Sequence, residues 1–407
     1  MRPVTSTPPS PNGRRPILPP ATIGILGGGQ LGRMLGFAAR AMGYRLAILD
    51  PDPDCPAAAI ADRIVIGTYD DVGAALRLAD VSDVVTYELE HVAAEVVDAV
   101  DAVVPVRPGR RPLVVTQDRL AERRFVESAG IAVAPWREVR TTDELRAAAA
   151  SDALGLPIRL KVPMGGYDGR GQVRLTDPAD IDDALARLGR ATSTPVLAER
   201  ELDFVAELSI IVTRDLEGSE TTFPIARNRH EDGVLRESVA PAPFEPDVAV
   251  AAREIGRRLA TDMDLVGTLT AELFLLIDGS LVVNELAPRV HNSGHWTIEG
   301  AATSQFEQHV RAICGLTLGA TDALTPAAMV NLLGTGSLRP ADLGGVSEAL
   351  VDPAVHLHLY DKRRVFEGRK MGHLTALGPS VDTALASARR ARAALTWGDE
   401  AGKEADR

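Results

Sequence analysis

Apolar residues in this chain follow two different periods, and the change between them marks its organisation. Short, mostly apolar runs come first: Thr22–Leu26, Tyr44–Asp50, Ile64–Gly67, Val84–Thr86 and Val103–Pro105, separated by Ala-rich helical stretches such as Arg33–Met42. Buried-type strands alternating with helices predict a parallel, doubly wound sheet over residues 21–118. A charged helix, Arg119–Gly130, leads to Pro135-Trp136. A smaller α/β segment up to residue 202 then holds the strands Ile158–Lys161, Gln172–Leu175 and Pro195–Glu199 and a helix over Asp180–Gly189. Beyond it, over residues 203–397, long alternating strands take over, first Phe204–Thr213 and then Glu220–Ala226. The helix Pro246–Met263 follows, and later the helix Ser304–Cys314 and the β-rich runs Ala328–Leu333 and Ala354–Tyr360.

Within this last part, two β-rich segments, Thr268–Ile277 and Ser280–Glu285, flank Asp278-Gly279. That dipeptide favours a two-residue hairpin turn. In that register Ile277 faces Ser280 and Glu272 faces Glu285. Two like charges opposed across a ladder are destabilising unless something neutralises them. Mg²⁺ usually takes one or two carboxylates plus substrate phosphates, so the pair predicts a metal–nucleotide site.

Two glycine loops point to phosphate. Gly27-x-Gly29-x-x-Gly32 follows a strand and opens a helix, with Asp50 ending the next strand, in the context of a dinucleotide fingerprint. Such a loop takes any phosphate at a helix N-terminus, or serves only as a tight turn. The second loop, Met164–Gln172, has glycines at 165, 166, 169 and 171 and follows Lys161 at the end of its strand. Its backbone N–H groups and the ammonium suit one anion, and Tyr167 and Asp168 ride on what reads as a mobile lid. Glu199 ends a strand, and Glu207 sits among β-formers, where it faces either solvent or a ligand. Arg289, His291, Asn292 and His295 follow Glu285 closely, a mixture suited to polarising an oxyanion. The basic segment Asp361–His373 is either a solvated face or a phosphate site.

Composition narrows the class. At 407 residues two or three domains are expected. A net charge of −12 argues against a general nucleic-acid or membrane-surface binder, and no apolar run nears the roughly 20 residues of a membrane helix. Cys55 and Cys314 form neither metal spacing nor a disulfide framework, which fits the cytoplasm. Residues 1–20 hold seven prolines and no apolar stretch, and are expected as a disordered tail, with 398–407 frayed.

The runs Gly27-Gly-Gly-Gln-Leu-Gly-Arg-Met34, Thr86-Tyr-Glu-Leu-Glu-His-Val92, Gly165-Gly-Tyr-Asp-Gly-Arg-Gly-Gln172, Asn284-Glu-Leu-Ala-Pro-Arg-Val-His-Asn-Ser-Gly-His-Trp296 and His358-Leu-Tyr-Asp-Lys362…Gly368-Arg-Lys370 resemble those of the N5-carboxyaminoimidazole ribonucleotide synthase family, ATP-grasp enzymes of purine biosynthesis. The resemblance covers roughly residues 22–378. It implies a fold of mixed α/β and α+β type, an ATP-grasp fold preceded by a Rossmann-like domain. ATP is expected against Arg119, Lys161, the loop Gly166, Tyr167, Asp168, Gly169, Arg170, Gly171 and Gln172, and His230 and Asn284. Glu199, Arg200, Glu201 and Leu202 would form the adenine hinge, Glu207 would hold the ribose, and Glu272 and Glu285 would carry Mg²⁺. The substrate, 5-aminoimidazole ribonucleotide, is expected across Gln30, Leu31, Glu88, Tyr167, Asp168 and Arg170, with its phosphate on Lys362 and Arg369. Bicarbonate would sit by Arg289, His291 and Asn292. Lys161, Tyr167, Asp168, Arg289, His291 and Asn292 are the expected catalytic set, and a homodimer is implied. The rival readings are a sister ATP-grasp ligase, a nicotinamide-dependent dehydrogenase on the first glycine loop, and a non-catalytic scaffold.

Overall fold

The computed structural model describes residues 15–166, 171–189 and 195–398. Tyr167, Asp168, Gly169 and Arg170 of the expected lid lie outside the described residues. So do residues 1–14 and 399–407 of the expected tails. The rest of the N-terminal tail is tied down: Ile17 donates its N–H to Cys314 O at 2.8 Å and accepts from the Tyr44 hydroxyl at 2.7 Å.

The first sheet is parallel, with strands ordered Arg63–Ile66, Arg45–Asp50, Thr22–Leu26 and Val84–Tyr87. Helices cover its faces, which explains why its central strands read as continuous apolar runs. The expected strand Val103–Pro105 does not form. Val106 makes only an isolated bridge to Val85, and Val103 is 58% exposed. Pro105 and Pro108 lack the N–H groups that would extend the ladder. The first helix begins at Gln30, three residues before the expected Arg33, so the glycine loop is short.

A four-stranded antiparallel sheet follows, ordered Trp136–Val139, Val196–Arg200, Ile158–Lys161 and Gln172–Leu175. It has its own core, with Leu145, Leu160, Val173 and Val196 among its members. The helix Arg119–Ser128 instead lends Val126 to the core of the large sheet.

That large sheet is antiparallel, ordered Leu281–Ala287, Gly267–Leu276, Phe204–Arg214, Ala226–Glu231, Val234–Ala240, Ala327–Leu333, Lys370–Leu377 and Val355–Leu359. The expected strand Glu220–Ala226 splits into Glu220–Thr222 and Ala226–Glu231, because Pro224 cannot donate to a ladder. The helices Pro246–Asp262 and Val381–Ala394 pack on it.

The hairpin departs from its expected form twice. Leu276 N–H reaches Ser280 O at 2.9 Å, and Gly279 N–H reaches Leu276 O at 3.0 Å, with Gly279 at φ +84°. The turn therefore spends three residues, not two, and Leu275 faces Leu281. A bulge then absorbs Asn284, and beyond it Glu272 faces Glu285 after all.

One ion cluster ties the helix Val381–Ala394 to this sheet. Glu237 receives two hydrogen bonds from Arg229, both at 3.0 Å, and two from Arg389 at 2.9 and 2.6 Å. Burial alone would raise the Glu237 carboxyl, but Arg389 and Arg229 hold it down at about 2. A depressed carboxyl stabilises the fold above its ordinary range and loses that contribution as pH falls towards the folded value. Glu237→Gln should therefore be less stable than wild type at neutral pH by about 1–2 kcal/mol, the arginines being half solvated. Thermal melts across pH 2–7 check this: the gap closes as pH falls from about 5 towards 2.

Candidate active site

A cavity of about 360 Å³ lies between the small antiparallel sheet and the large one. Arg119, Lys161, Gln172, Glu199, Arg200, Glu201, Leu202, Glu207, His230, Glu272, Asn284, Glu285, His291 and Asn292 all line it. Phe204 and Phe274, which sequence reasoning passed over, stack at 4.5 Å and 8° on its wall. Phe274 had a signal in alternation, since it points the same way as Glu272, whereas Phe204 reaches this face only through a register shift at Val205 that simple alternation does not show.

At one end of the cavity, Lys161 Nζ lies 2.5 Å from Glu199 Oε2, and Arg123 Nε donates to Glu199 Oε1 at 2.8 Å. Burial works against the Glu199 carboxylate, but Lys161 and Arg123 hold it at about 2. Burial pulls Lys161 below its ordinary range, and Glu199 opposes that pull. The Glu199 side chain, expected at the adenine hinge, thus anchors the lysine. Arg123 extends the chain of contacts. It donates to Glu122 Oε1 at 2.8 Å and to Asn284 O, the carbonyl of the bulged residue, at 2.7 Å. Glu122 Oε2 accepts from Leu286 N–H at 2.8 Å. Both neighbours of Glu285 are therefore gripped from the helix Arg119–Ser128. Neither Glu122 nor Arg123 was singled out in the sequence, because their partners are more than seventy positions away.

The opposed carboxylates differ in environment. Burial lifts Glu272 to about 7, Glu285 and Glu207 adding to the rise while His230 opposes it. Glu285 is raised by burial but lowered on balance by Arg119 and Lys161, with Arg119 Nη1 at 3.3 Å. His230 Nδ1 sits 2.9 Å from Glu207 Oε2, and its Nε2 lies 3.9 Å from Glu272 Oε1. His291 Nε2 approaches the same oxygen at 3.8 Å. Burial, followed by Arg289, drives His291 well below its ordinary value, so the ring is neutral near pH 7. The Ser293 N–H donates to His291 Nδ1, which assigns the ring proton to Nε2. A carboxylate pair with oxygen donors and space for phosphate suits Mg²⁺. Among the described residues no group of three or more His, Cys, Asp or Glu could hold a metal by protein ligands alone.

A second cavity, about 600 Å³, lies between residues 90–95 and 116–122 and the loop residues 163–166. Arg119 and Glu285 border both cavities, and Gly166 and Arg289 line this one. Glu90 holds Arg289 at 2.8 Å. His295, also flagged in the sequence, is buried beside the rings of Phe306 and His373.

The expected ribonucleotide residues sit farther along. Lys362 Nζ donates to Gln30 Oε1 at 2.8 Å and to Lys370 O at 2.6 Å, joining positions 332 apart. Leu31 is buried. Arg369 lies over the Phe366 ring at 5.3 Å, its guanidinium lowered by burial. The first glycine loop overturns the dehydrogenase reading. The carboxylate of Glu88 accepts the N–H groups of Gly29 and Gly32, filling the position a pyrophosphate would take. Asp50 Oδ2 accepts from Gly28 N–H and the Tyr69 hydroxyl, both within 2.8 Å. A Cβ at Gly29 would meet Glu88 Oε1 at 2.5 Å. The glycines serve Glu88, not a dinucleotide.

Comparison with known proteins agrees with this layout. Residues 20–117 match the ribonucleotide synthetase preATP-grasp domain, 124–306 the ATP-grasp domain, and 327–387 the phosphoribosylaminoimidazole carboxylase C-terminal domain. The N5-carboxyaminoimidazole ribonucleotide synthase of Brucella melitensis biotype 1 is 44% identical over 89% of this chain and 97% of its own length. A crystal structure of an ADP complex of N5-carboxyaminoimidazole ribonucleotide synthetase aligns at TM-score 0.84 and 40% identity, covering 93% of this chain and 97% of that one. An Aspergillus clavatus N5-carboxyaminoimidazole synthase, in complex with ADP and 5-aminoimidazole ribonucleotide, aligns at TM-score 0.81 and 31% identity, covering 91% and 97%. With relatives this similar along nearly the whole length, the chain belongs to the N5-carboxyaminoimidazole ribonucleotide synthase family.

Proposed function

We propose that this chain carboxylates 5-aminoimidazole ribonucleotide with bicarbonate and ATP, giving N5-carboxyaminoimidazole ribonucleotide, ADP and phosphate in purine biosynthesis. The observation that carries the reading is the cavity itself, where Lys161 and the opposed Glu272 and Glu285 share walls with His291 and Asn292. A bicarbonate oxygen attacks the γ-phosphorus of ATP, the bond to the β-phosphate oxygen breaks, and ADP leaves. The exocyclic amine of the ribonucleotide then captures the carboxyl carbon of carboxyphosphate, or the CO₂ released from it. Phosphate departs and the amine loses a proton.

Glu272 and Glu285 would hold Mg²⁺, which when bound offsets charge on the transferring phosphoryl group. Lys161, fixed by Glu199, meets the phosphates as a point charge. Arg289, His291 and Asn292 orient bicarbonate; Glu90 fixes the guanidinium, and His291 presents its Nε2–H. Gly166, Gly171 and Gln172, with Tyr167, Asp168, Gly169 and Arg170, are assigned to the nucleotide, and Tyr167, Asp168 and Arg170 also to the ribonucleotide. Arg200, Glu201 and Leu202 read the adenine and Glu207 the ribose. Gln30, Leu31, Glu88, Lys362 and Arg369 receive the ribonucleotide. The same reading includes a homodimer, checked by sedimentation. It also includes a cytoplasmic location, which suits the two buried free cysteines. Among the described residues no helix is long and apolar enough to cross a membrane.

Phosphate release from ATP, measured with and without the ribonucleotide and bicarbonate, tests the reaction. Turnover that depends on the ribonucleotide is expected, and its absence in ATP-binding protein overturns the proposal. Lys362→Ala should raise the KM for the ribonucleotide about 10- to 100-fold, as expected for loss of a hydrogen bond to a charged group, and spare the KM for ATP. Equal losses in both would move the phosphate site elsewhere.

A further inference from the structure

On the face of the large sheet under the helix Val381–Ala394, a third cavity of about 260 Å³ is lined by four arginines, Arg229, Arg236, Arg389 and Arg392. Two of them are already satisfied. Arg229 and Arg389 clamp Glu237 from either side, and Arg229 also reaches Glu231 at 3.2 Å. The other two are not. Arg236 Nε is buried without a hydrogen bond, the Glu231 oxygen standing 3.6 Å away. Among the described residues Arg392 has no carboxylate partner, and its one hydrogen bond goes to Leu395 O at 3.2 Å. Arg236 owes its direction to a bulge. Arg229 pairs with Glu237 and His230 with Leu235, so Arg236 is the extra residue in its strand. Bulges re-aim side chains in this way.

Two like charges pressed together are unfavourable unless an anion joins them, and guanidinium forks are matched to phosphate oxygens. Burial, and then Arg236, holds the Arg392 guanidinium below its ordinary value, as expected of a cation facing another. We propose that Arg236 and Arg392, backed by Arg229 and Arg389, form a second anion site that takes a small phosphate anion. The volume falls just below that of pockets for drug-sized ligands, which favours inorganic phosphate or diphosphate over a whole nucleotide. The floor of the cavity includes Asn331, which accepts from Asn292 Nδ2 at 3.1 Å and donates to Leu235 O at 2.8 Å. Asn292 and Leu235 both line the nucleotide cavity, so an occupant is one side chain from the active site.

Calorimetric titration of inorganic phosphate, and separately of pyrophosphate, into the full chain presaturated with a non-hydrolysable ATP analogue and 5-aminoimidazole ribonucleotide tests the site, because together these fill the γ-phosphate position and the phosphate position at Lys362 and Arg369. One further equivalent of at least one anion should bind. Affinity should fall by about tenfold or more in Arg236→Gln/Arg392→Gln, as for loss of charge-assisted bonds. Ala393→Glu, which places a carboxylate on the cavity wall, should abolish uptake and raise the melting temperature. It also keeps the test decisive if the double variant fails to fold. No uptake by the wild type loaded with both the ATP analogue and the ribonucleotide, or unchanged uptake by Ala393→Glu, overturns the site. Neither result depends on turnover, so failure here is separable from failure of the carboxylation reaction.

Discussion

Glu285→Gln should cut ATP turnover by about two to three orders of magnitude, the range seen when one preorganised electrostatic group is removed from a transferring centre. The fold should be unaffected. The Glu285 side chain is 47% exposed, and its ion-pair partner is Arg119 at 3.3 Å. A pair with one partner this open to solvent is worth ~1 kcal/mol or less. Initial rates at rising Mg²⁺ provide the measurement, with the apparent Mg²⁺ requirement expected to climb together with the loss in kcat. Glu272→Gln should show a contrasting stability. Its carboxyl is lifted to about 7 by burial and by Glu285, so neutralising it relieves repulsion, and the melting temperature should hold or rise while activity collapses. A Glu285→Gln enzyme with near-normal kcat and Mg²⁺ dependence would remove this pair from the metal site.

Arg123→Met should be among the most damaging single changes to stability, at about 3–5 kcal/mol, because it strips one partner from a buried ion cluster and leaves the others uncompensated. Arg123 has no exposed side-chain surface, and it serves Glu199, Glu122 and the Asn284 carbonyl together. Chemical denaturation would measure the loss. Adding Glu122→Gln should recover part of it, since that carboxyl already sits at about 7 through burial. A loss below ~1 kcal/mol would mean that the cluster contributes little and that the bulge at Asn284 is held by something else. ATP affinity should fall in the same variant, because Glu199, and through it Lys161, loses its second anchor.

The hairpin shows how far local sequence reached and where it stopped. Asp278-Gly279 announced a turn, and β-rich flanks announced its strands, but the dipeptide serves a two- or a three-residue loop equally well. The facing of Glu272 and Glu285 came out correctly because the longer turn and the bulge offset each other. The bulge could not be read locally, since the group that captures its carbonyl is Arg123, 161 positions away. The first glycine loop is a similar case. Its spacing was plain, but its occupant is the Glu88 side chain, contributed from beyond the next sheet strands. Strand–helix alternation through residue 118 was legible because a parallel sheet buried on both faces leaves continuous apolar runs. The strand Lys370–Leu377 was missed because the charges of residues 361–370 dominated the reading. The helix Val381–Ala394 was missed despite a usable signal, Ser380 capping the Thr383 N–H ahead of an Ala- and Arg-rich stretch.

Arg119 and Glu285 each have two frontages, one on the nucleotide cavity and one on the larger space beside Gly166 and Arg289. The two spaces therefore share a wall built from a guanidinium and a carboxylate. In that wall Arg119 divides itself between Glu285 and the Gly166 carbonyl, 3.3 and 3.4 Å away. The Gly166 backbone and the Glu285 carboxylate thus compete for one cation, so movement of either shifts the guanidinium that both cavities share.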